Sequence, residues 1–465
     1  MKKILVALAM VALVAMPAFA SVQNIKVGGS VDNTYIHREN FDLGKNVIGD
    51  EIQDVMISQV SLKVDAELTD NVSAVVKLIN ERAWGVEDAS DTNADIDINL
   101  AYVTLKEMLY SPLTVMVGRQ SWAHGNSFVF DTTGPNNQAT GALSSIAQDL
   151  TQRSALDAVR AVLDYNPLTI DTFFAKVDSR SVNAAADDDD DVDLYGTNFN
   201  YKLGDDKQTE VEAYFFAKID KGTGSAAANK QNKADTIYTP GLRASTNPIK
   251  GLNVQGEVAW QAGNKVVSTT STGQNIRREA MGAQAIANYQ VPLEATKQWN
   301  PVVTGVYTYV SGDKNAGDVN YSKQASANKW TAWDPMFENQ ASGTIYNTMF
   351  DLTNAHIYST GVQVNPMEDV TAKVTWTGMW LDREFQGSSP SYSLRRSDDS
   401  STNNSLSAIA DESEIGQEID AGLTYDYTED VQIGANLGWF IPGDSFAASN
   451  DSTASQALVN VNVAF

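Results

Sequence analysis

About eighteen stretches of this chain alternate apolar and polar residues at period two, and the links between them alternate between short turns and long polar segments. Period two is the signature of a strand with different environments on its two faces. The stretches lie near 24–36, 55–68, 72–84, 95–107, 113–121, 155–165, 168–177, 192–203, 209–219, 237–246, 252–262, 277–289, 301–311, 355–364, 370–382, 416–427, 431–441 and 455–465. Short links include Thr69-Asp70-Asn71, Tyr110-Ser111-Pro112, Asn166-Pro167 and Thr428-Glu429-Asp430, all rich in turn-forming residues. Long links fill 37–54, 85–94, 122–154, 178–191, 220–236, 263–276, 312–354, 383–415 and 442–454. A set of soluble β domains has no reason to keep that parity. A membrane barrel does, because one rim carries tight turns and the other large loops.

The final segment shows the dyad plainly. Ala457, Val459, Val461, Val463 and Phe465 share one face, and Asn460 and Asn462 share the other. Val431, Ile433, Ala435, Leu437, Trp439 and Ile441 likewise oppose Gln432, Gly434, Asn436 and Gly438. Tyr102, Tyr165, Tyr289, Trp380, Tyr427 and Trp439 sit near strand ends, where a membrane barrel places its aromatic girdles. The expected fold is a single all-β, antiparallel up-and-down transmembrane barrel of about 18 strands.

Met1 to Ala20 reads as a signal peptide: Lys2 and Lys3, an apolar run from Ile4 to Met16, then Ala18-Phe19-Ala20. That divides the chain into a leader, 1–20, and one barrel domain, 21–465. No later stretch is long and apolar enough for a transmembrane helix. The chain has no Cys, which excludes disulfides, thiolate metal sites and covalent haem. Its net charge of −25 becomes more negative by two once Lys2 and Lys3 leave. Such a balance argues against a nucleic-acid partner.

Alternation puts the polar face inside. By parity the lumen receives Lys63, Asp65, Glu67, Lys77, Glu81, Asp95, Asp97, Arg160, Asp164, Glu210, Glu212, Lys218, Arg243, Glu257, Arg278, Lys373, Glu418, Asp420 and Asp426. Acids outnumber bases and the signs interleave, so the expected channel prefers cations mildly or passes small neutral solutes. The same charges can instead pair across strands and merely line a wet interior. Links 122–154 and 312–354 are long enough to fold inward as a constriction, and the second is unusually aromatic, with Trp330, Trp333 and Phe337.

Other chemistry is sparse. Asp187 to Asp191 with Asp193 could offer oxygen ligands to calcium, though a solvated acidic loop explains the run as well. Asp313, Asn315 and Asp318 lack the downstream Glu of a calcium loop. The His residues are His37, His124 and His356, and neither Gly-x-Ser-x-Gly nor His-Glu-x-x-His occurs. His356 with Ser359 is the least poor hydrolase pair. No enzyme, metal or cofactor is expected.

Three segments together carry a family resemblance: Val117-Gly118-Arg119-Gln120; Tyr307 to Asp313 with Trp333-Asp334-Pro335-Met336-Phe337; and Ile415-Gly416-Gln417-Glu418-Ile419-Asp420 with Trp439 to Asp444. The chain resembles the alginate-export family of outer-membrane barrels. The resemblance implies an 18-stranded monomeric barrel in outer-membrane lipid, a passive channel, and motif roles for Arg119, Asp313, Trp333, Asp334, Gln417 and Asp444. It also implies an arginine-lined path for anionic polysaccharide. Here the chain departs, since its interior set holds few arginines and Arg119 shares parity with Val115 and Val117. The expected function is therefore diffusion of small hydrophilic solutes, with polysaccharide export as the alternative. A structural or adhesive barrel closed by its loops is the third reading.

Overall fold

The computed structural model describes residues 23–465 apart from 45–51, 86–95, 139–142, 144–146, 179–190, 222–233, 269–272, 293–297, 314, 316–328, 341, 386–408 and 410. The leader, Asp95 and Asp187 to Asp190 lie outside that set. The strands are β1 Asn24–Glu39, β2 Ile52–Thr69, β3 Val72–Ala83, β4 Asp97–Leu105, β5 Leu113–Gln120, β6 Leu156–Asp164, β7 Leu168–Asp178, β8 Val192–Lys202 and β9 Glu210–Asp220. They continue with β10 Asp235–Ile249, β11 Leu252–Ser268, β12 Gly273–Gln290, β13 Val302–Val310, β14 Lys329–Trp330, β15 Ala355–Met367, β16 Val370–Leu381, β17 Glu414–Asp426, β18 Val431–Pro442 and β19 Ala454–Ala464. Helix α1 is Thr344–Met349.

Each strand pairs antiparallel with its chain neighbours, and β1 pairs with both β2 and β19, which closes the sheet. Only β14 stands apart. It is a two-residue strand inside a long link that runs parallel to β12. The barrel itself therefore has 18 strands. At the seam, Gly29 and Phe465 exchange both backbone hydrogen bonds, at 2.8 and 3.0 Å. Closure leaves no unpaired edge in lipid, where each orphan amide is expensive.

The outer face is apolar. Val60, Leu62, Val76, Val103, Val117, Val159, Phe174 and Phe199 are exposed there. A band of this kind is a liability in water and a requirement in a bilayer. Tyr165, Tyr427 and Trp439 stand exposed as girdle positions should. Tyr102 does not. It sits opposite Val75, on the side that carries Glu81, because a bulge after Asn99 reverses the parity of β4.

Strands β11 and β12 run well past the ends of the sequence-derived segments on the long-loop side. There Asn264, Lys265 and Asn275 interrupt the apolar alternation, which hides the extension from a hydrophobicity pattern.

The constricted lumen as candidate functional site

Both long inward links enter the barrel, and they are joined to each other. Phe130 and Phe337 form a parallel bridge. The Asp131 amide donates to the Phe337 carbonyl (2.7 Å), the Phe337 amide to Val129 (3.2 Å) and the Asn339 amide to Ser127 (2.8 Å). Gly134 abuts the Glu338 carbonyl so closely that an added Cβ would sit 2.1 Å from it. Asp131 locks the junction by accepting from Ser127, Thr133 and Asn339.

This junction rests on an aromatic core inside the barrel. Phe130 packs among Phe173 (4.9 Å between centroids), Phe216 (5.3 Å) and Trp122 (5.3 Å), and Phe128 stacks on Trp333 at 5.7 Å. Phe173 and Phe216 are wall residues on the lumen face. The wall is therefore apolar exactly where a loop covers it, against the polar-inside rule. Burial of each ring stabilises the loops by about 1.5–3 kcal/mol.

Polar anchors fix the rest. The Glu418 carboxylate accepts from the amides of Ile345 (2.7 Å) and Tyr346 (2.8 Å), and Asp420 accepts from the Thr344 hydroxyl (2.6 Å). Glu418 thus satisfies two of the amides that the start of α1 leaves without helical partners. Glu81 accepts from the Thr151 hydroxyl (2.5 Å) and the Gln152 amide (2.7 Å). Arg38 grips Asp149 with both terminal nitrogens, at 3.0 and 2.6 Å. Gln261 and the Asp334 backbone exchange two hydrogen bonds, at 2.7 and 2.8 Å.

The wall charges near the loops are paired. Arg160 forks onto Asp171, Arg243 bonds Glu212, Arg278 bonds Asp235 (2.8 Å), and Arg153 of the loop meets Asp97 at 2.6 Å. Glu257 accepts from the Tyr214 hydroxyl at 2.7 Å. Lys218 and Arg278 approach Asp334 at 3.8 Å. Burial pushes the Asp334 carboxyl up, but Lys218, Arg278 and Lys265 outweigh it and hold the group down at about 2. His124 is buried among Phe130, Phe173 and Phe216. Asn198 Nδ2 donates to Glu212 and to His124 Nδ1 (2.8 Å), so the neutral ring carries its proton on Nε2, 3.5 Å from Asp171. Burial lowers the His124 pKa to about 4, Asp171 pulls it up and Arg160 pulls it down.

Toward the short turns the lumen-facing side chains become exposed. Lys63 lies 3.1 Å from Asp65, and both side chains are well exposed. Lys77 stands directly opposite Lys63. Glu67, Asp164, Glu210, Lys373 and Asp426 share the lumen face by register.

The motif residues divide. Asp313, Trp333 and Asp334 belong to the inward link: Asp313 accepts from the amides of Asn315 (2.9 Å) and Thr331 (3.1 Å), which turns the chain there. Arg119 lies on the outer-face parity, 3.6 Å from the exposed Asp157, away from the lumen. Gly118, with φ of 123°, would drive a Cβ into Ala101 O at 2.2 Å, so this crossing requires glycine. Gln417 also faces outward and accepts from Trp376 Nε1 (3.1 Å). It shares the parity of Ile419 and Ala421, and the bulge at Ile415, where Met379 pairs with Gly416 and Trp380 with Glu414, lies beyond it and buries Ile415. Asp444 is exposed on the long-loop rim.

His356 and Ser359 are on opposite faces. His356 is outside against Tyr307 (2.9 Å), and Ser359 is inside against Thr377. At the described end of the acidic run, Asp191 and Asp193 are both held by Lys176. Arg38, Asp149, Asp171 and Asp235 were not among the sequence-derived positions. Arg38 continues the parity of Thr34 and Ile36 beyond the expected strand end, which was the available signal. Asp171 shares its face with Phe173 and Ala175, so that face read as apolar.

A closed 18-stranded antiparallel barrel with an apolar outer band and two loops inside its lumen is an outer-membrane channel fold. The model of the alginate export family matches residues 23–460, and the chain belongs to that family. It is a protein of the bacterial outer membrane. Its structure is similar to Pseudomonas aeruginosa OccK11 (OpdR), at TM-score 0.56 and 8% identity over 96% of each chain. It is also similar to P. aeruginosa OccK5 (OpdH), at 0.54 and 12% over 96% of this chain and 99% of the other. Acinetobacter baumannii OccAB3 gives 0.53 and 12% over 96% and 100%. No curated protein matches the chain by sequence.

Proposed function

We propose that this barrel is a monomeric, passive channel for small hydrophilic solutes, with a mixed-charge lumen narrowed by its two joined inward loops. The observation that carries the reading is the pairing of the lumen arginines. Arg38, Arg160, Arg243 and Arg278 each bond a carboxylate, so they form no free guanidinium track for a polyanion. The sequence-derived lumen set, from Lys63 to Asp426, serves as the pore lining, its upper members as loop anchors and its lower members as a hydrated vestibule. The chain works without cofactor, catalysis or nucleic-acid partner. The separation of His356 from Ser359 and the acidic net charge support this.

A second reading is export of an anionic polysaccharide. Family membership favours it, as does the adjacency of Lys63 and Lys77 on the vestibule wall. Single-channel recording in a KCl gradient separates the readings. The first expects steady conductance with mild cation preference. Strong anion selectivity, or block by an anionic oligosaccharide at low concentration, favours the second. Absence of conductance points to a closed structural barrel.

A further inference from the structure

The outer wall carries a recess that the channel reading does not use. It has a volume of about 760 Å³ and lies where β13 stops short of β12 on the long-loop side. Its floor is apolar and faces outward: Trp260, Met281 and Tyr309. Its rim is basic. The Arg277, Lys329 and Arg383 side chains are 75, 48 and 63% exposed. Lys329 reaches this place because β14 lays it beside Arg277 in register. Below the rim, around the wall, a second cleft of about 360 Å³ lies between His356, Tyr358, Trp376 and Trp380. Tyr307 and Tyr309 continue the aromatic surface to His356, at 6.2 and 4.9 Å between ring centroids.

We propose that this recess binds the phosphorylated headgroup of lipid A, with its acyl chains lying down the aromatic cleft. The occupant of an outer wall is lipid, and the long-loop rim of an outer-membrane barrel meets the outer leaflet, where lipid A phosphates are the dense anions. Three exposed cations within one recess are out of character for a chain of net charge −25, and charge complementarity selects a phosphate over a zwitterion. Trp and Tyr directly beneath the cations match the boundary between headgroup and acyl chain.

Within the recess the cations are partnered. Arg277 lies 2.6 Å from Glu279, Lys329 also reaches Glu279, and Arg383 lies 3.6 Å from Asp382. Exposed pairs of this kind contribute little and are readily exchanged for a phosphate that brings two charges. Glu279 is therefore a competitor for the ligand, and its removal strengthens binding.

The test uses the purified full barrel in detergent with defined probes: diphosphoryl lipid A, monophosphoryl lipid A and inorganic phosphate. Retained lipid is counted by native mass spectrometry and binding followed by Trp fluorescence. Three proteins are compared: wild type, the triple variant Arg277→Gln/Lys329→Gln/Arg383→Gln, and Glu279→Gln. The proposal expects at least a tenfold loss of diphosphoryl lipid A affinity in the triple variant and a severalfold gain in Glu279→Gln. It expects monophosphoryl lipid A to fall between and inorganic phosphate not to compete. Conductance stays unchanged in both variants. Equal binding by all three proteins overturns the proposal. So does loss in both variants, competition by inorganic phosphate, or a stable oligomer of barrels through this wall.

Discussion

The half of the lumen under the long loops and the half above the short turns are built on the same strands by opposite rules. Near the loops, lumen-facing side chains are buried: Arg278 is 1% exposed and Glu418 0%. Charges there are anchors, and the wall between them is aromatic. Near the turns, Lys63 and Asp65 are 43 and 38% exposed, and charge meets water. Position along the strand, and not polarity alone, therefore decides what a lumen residue does. The upper half holds the loops in place, and on the proposed channel reading the lower half sets the field that a solute enters.

The largest expected effect comes from removing one loop. Replacing 123–154 with a short Gly-Ser linker should raise single-channel conductance severalfold. Because Asp131, Phe337 and Asn339 join the two loops through backbone hydrogen bonds, the second loop should loosen with the first. Protease sensitivity of 312–354 in the excised protein measures this. Unchanged resistance there would show that the loops dock independently.

Next in size is Phe130→Ala. Truncating a ring packed among Phe173, Phe216 and Trp122 should cost about 3–5 kcal/mol of loop docking. The barrel wall should keep its thermal stability, since β-pairing does not pass through Phe130. Glu418→Ala strands the amides of Ile345 and Tyr346, at about 1–3 kcal/mol each. Hydrogen exchange at these two amides reports the effect directly.

The upper half is also where the sequence was hardest to read. Strand existence, order and closure were legible throughout, because every strand has one lipid face and the turns mark one rim. The charged positions proposed as pore lining rest on the same parity. The failures have local causes. The bulge in β4 moved Tyr102 inward, and the one at Ile415 buried that residue although it shares parity with the outward Gln417 and Ile419. Asp171 was hidden by Phe173, whose apolar character reflects a loop that arrives from 43 residues earlier in the chain. A single-strand pattern carries no information about which loop will cover it.

Acid should weaken the upper half selectively. The pKa of buried His124 is depressed to about 4, against an ordinary value of 6.5. An undocked loop takes up the proton near 6.5 and the docked loop does not. Docking is therefore at full strength above about 6.5 and weakens as pH falls toward 4, by about 3 kcal/mol in all. His124→Phe keeps the stacking on Phe173 and Phe216 and should flatten this dependence. Current noise recorded between pH 7 and 4 tests it. Equal pH dependence in the variant would assign the effect to other groups.

The smallest effect belongs to the lower half. Lys63→Glu with Lys77→Glu reverses two adjacent lumen charges. On the proposed reading both sit in a hydrated vestibule, where the Debye length of about 8 Å at physiological salt screens them from an ion further off. The expected outcome is a small shift of the reversal potential toward cations that fades as salt rises, with no change in stability. A charge at a true constriction behaves differently, because an ion must pass within one Debye length of it. A large shift that persists at high salt would place the narrowest ring at Lys63 and Lys77. The comparison between the two halves would then have to be redrawn, with the loops as scaffold and the vestibule as filter.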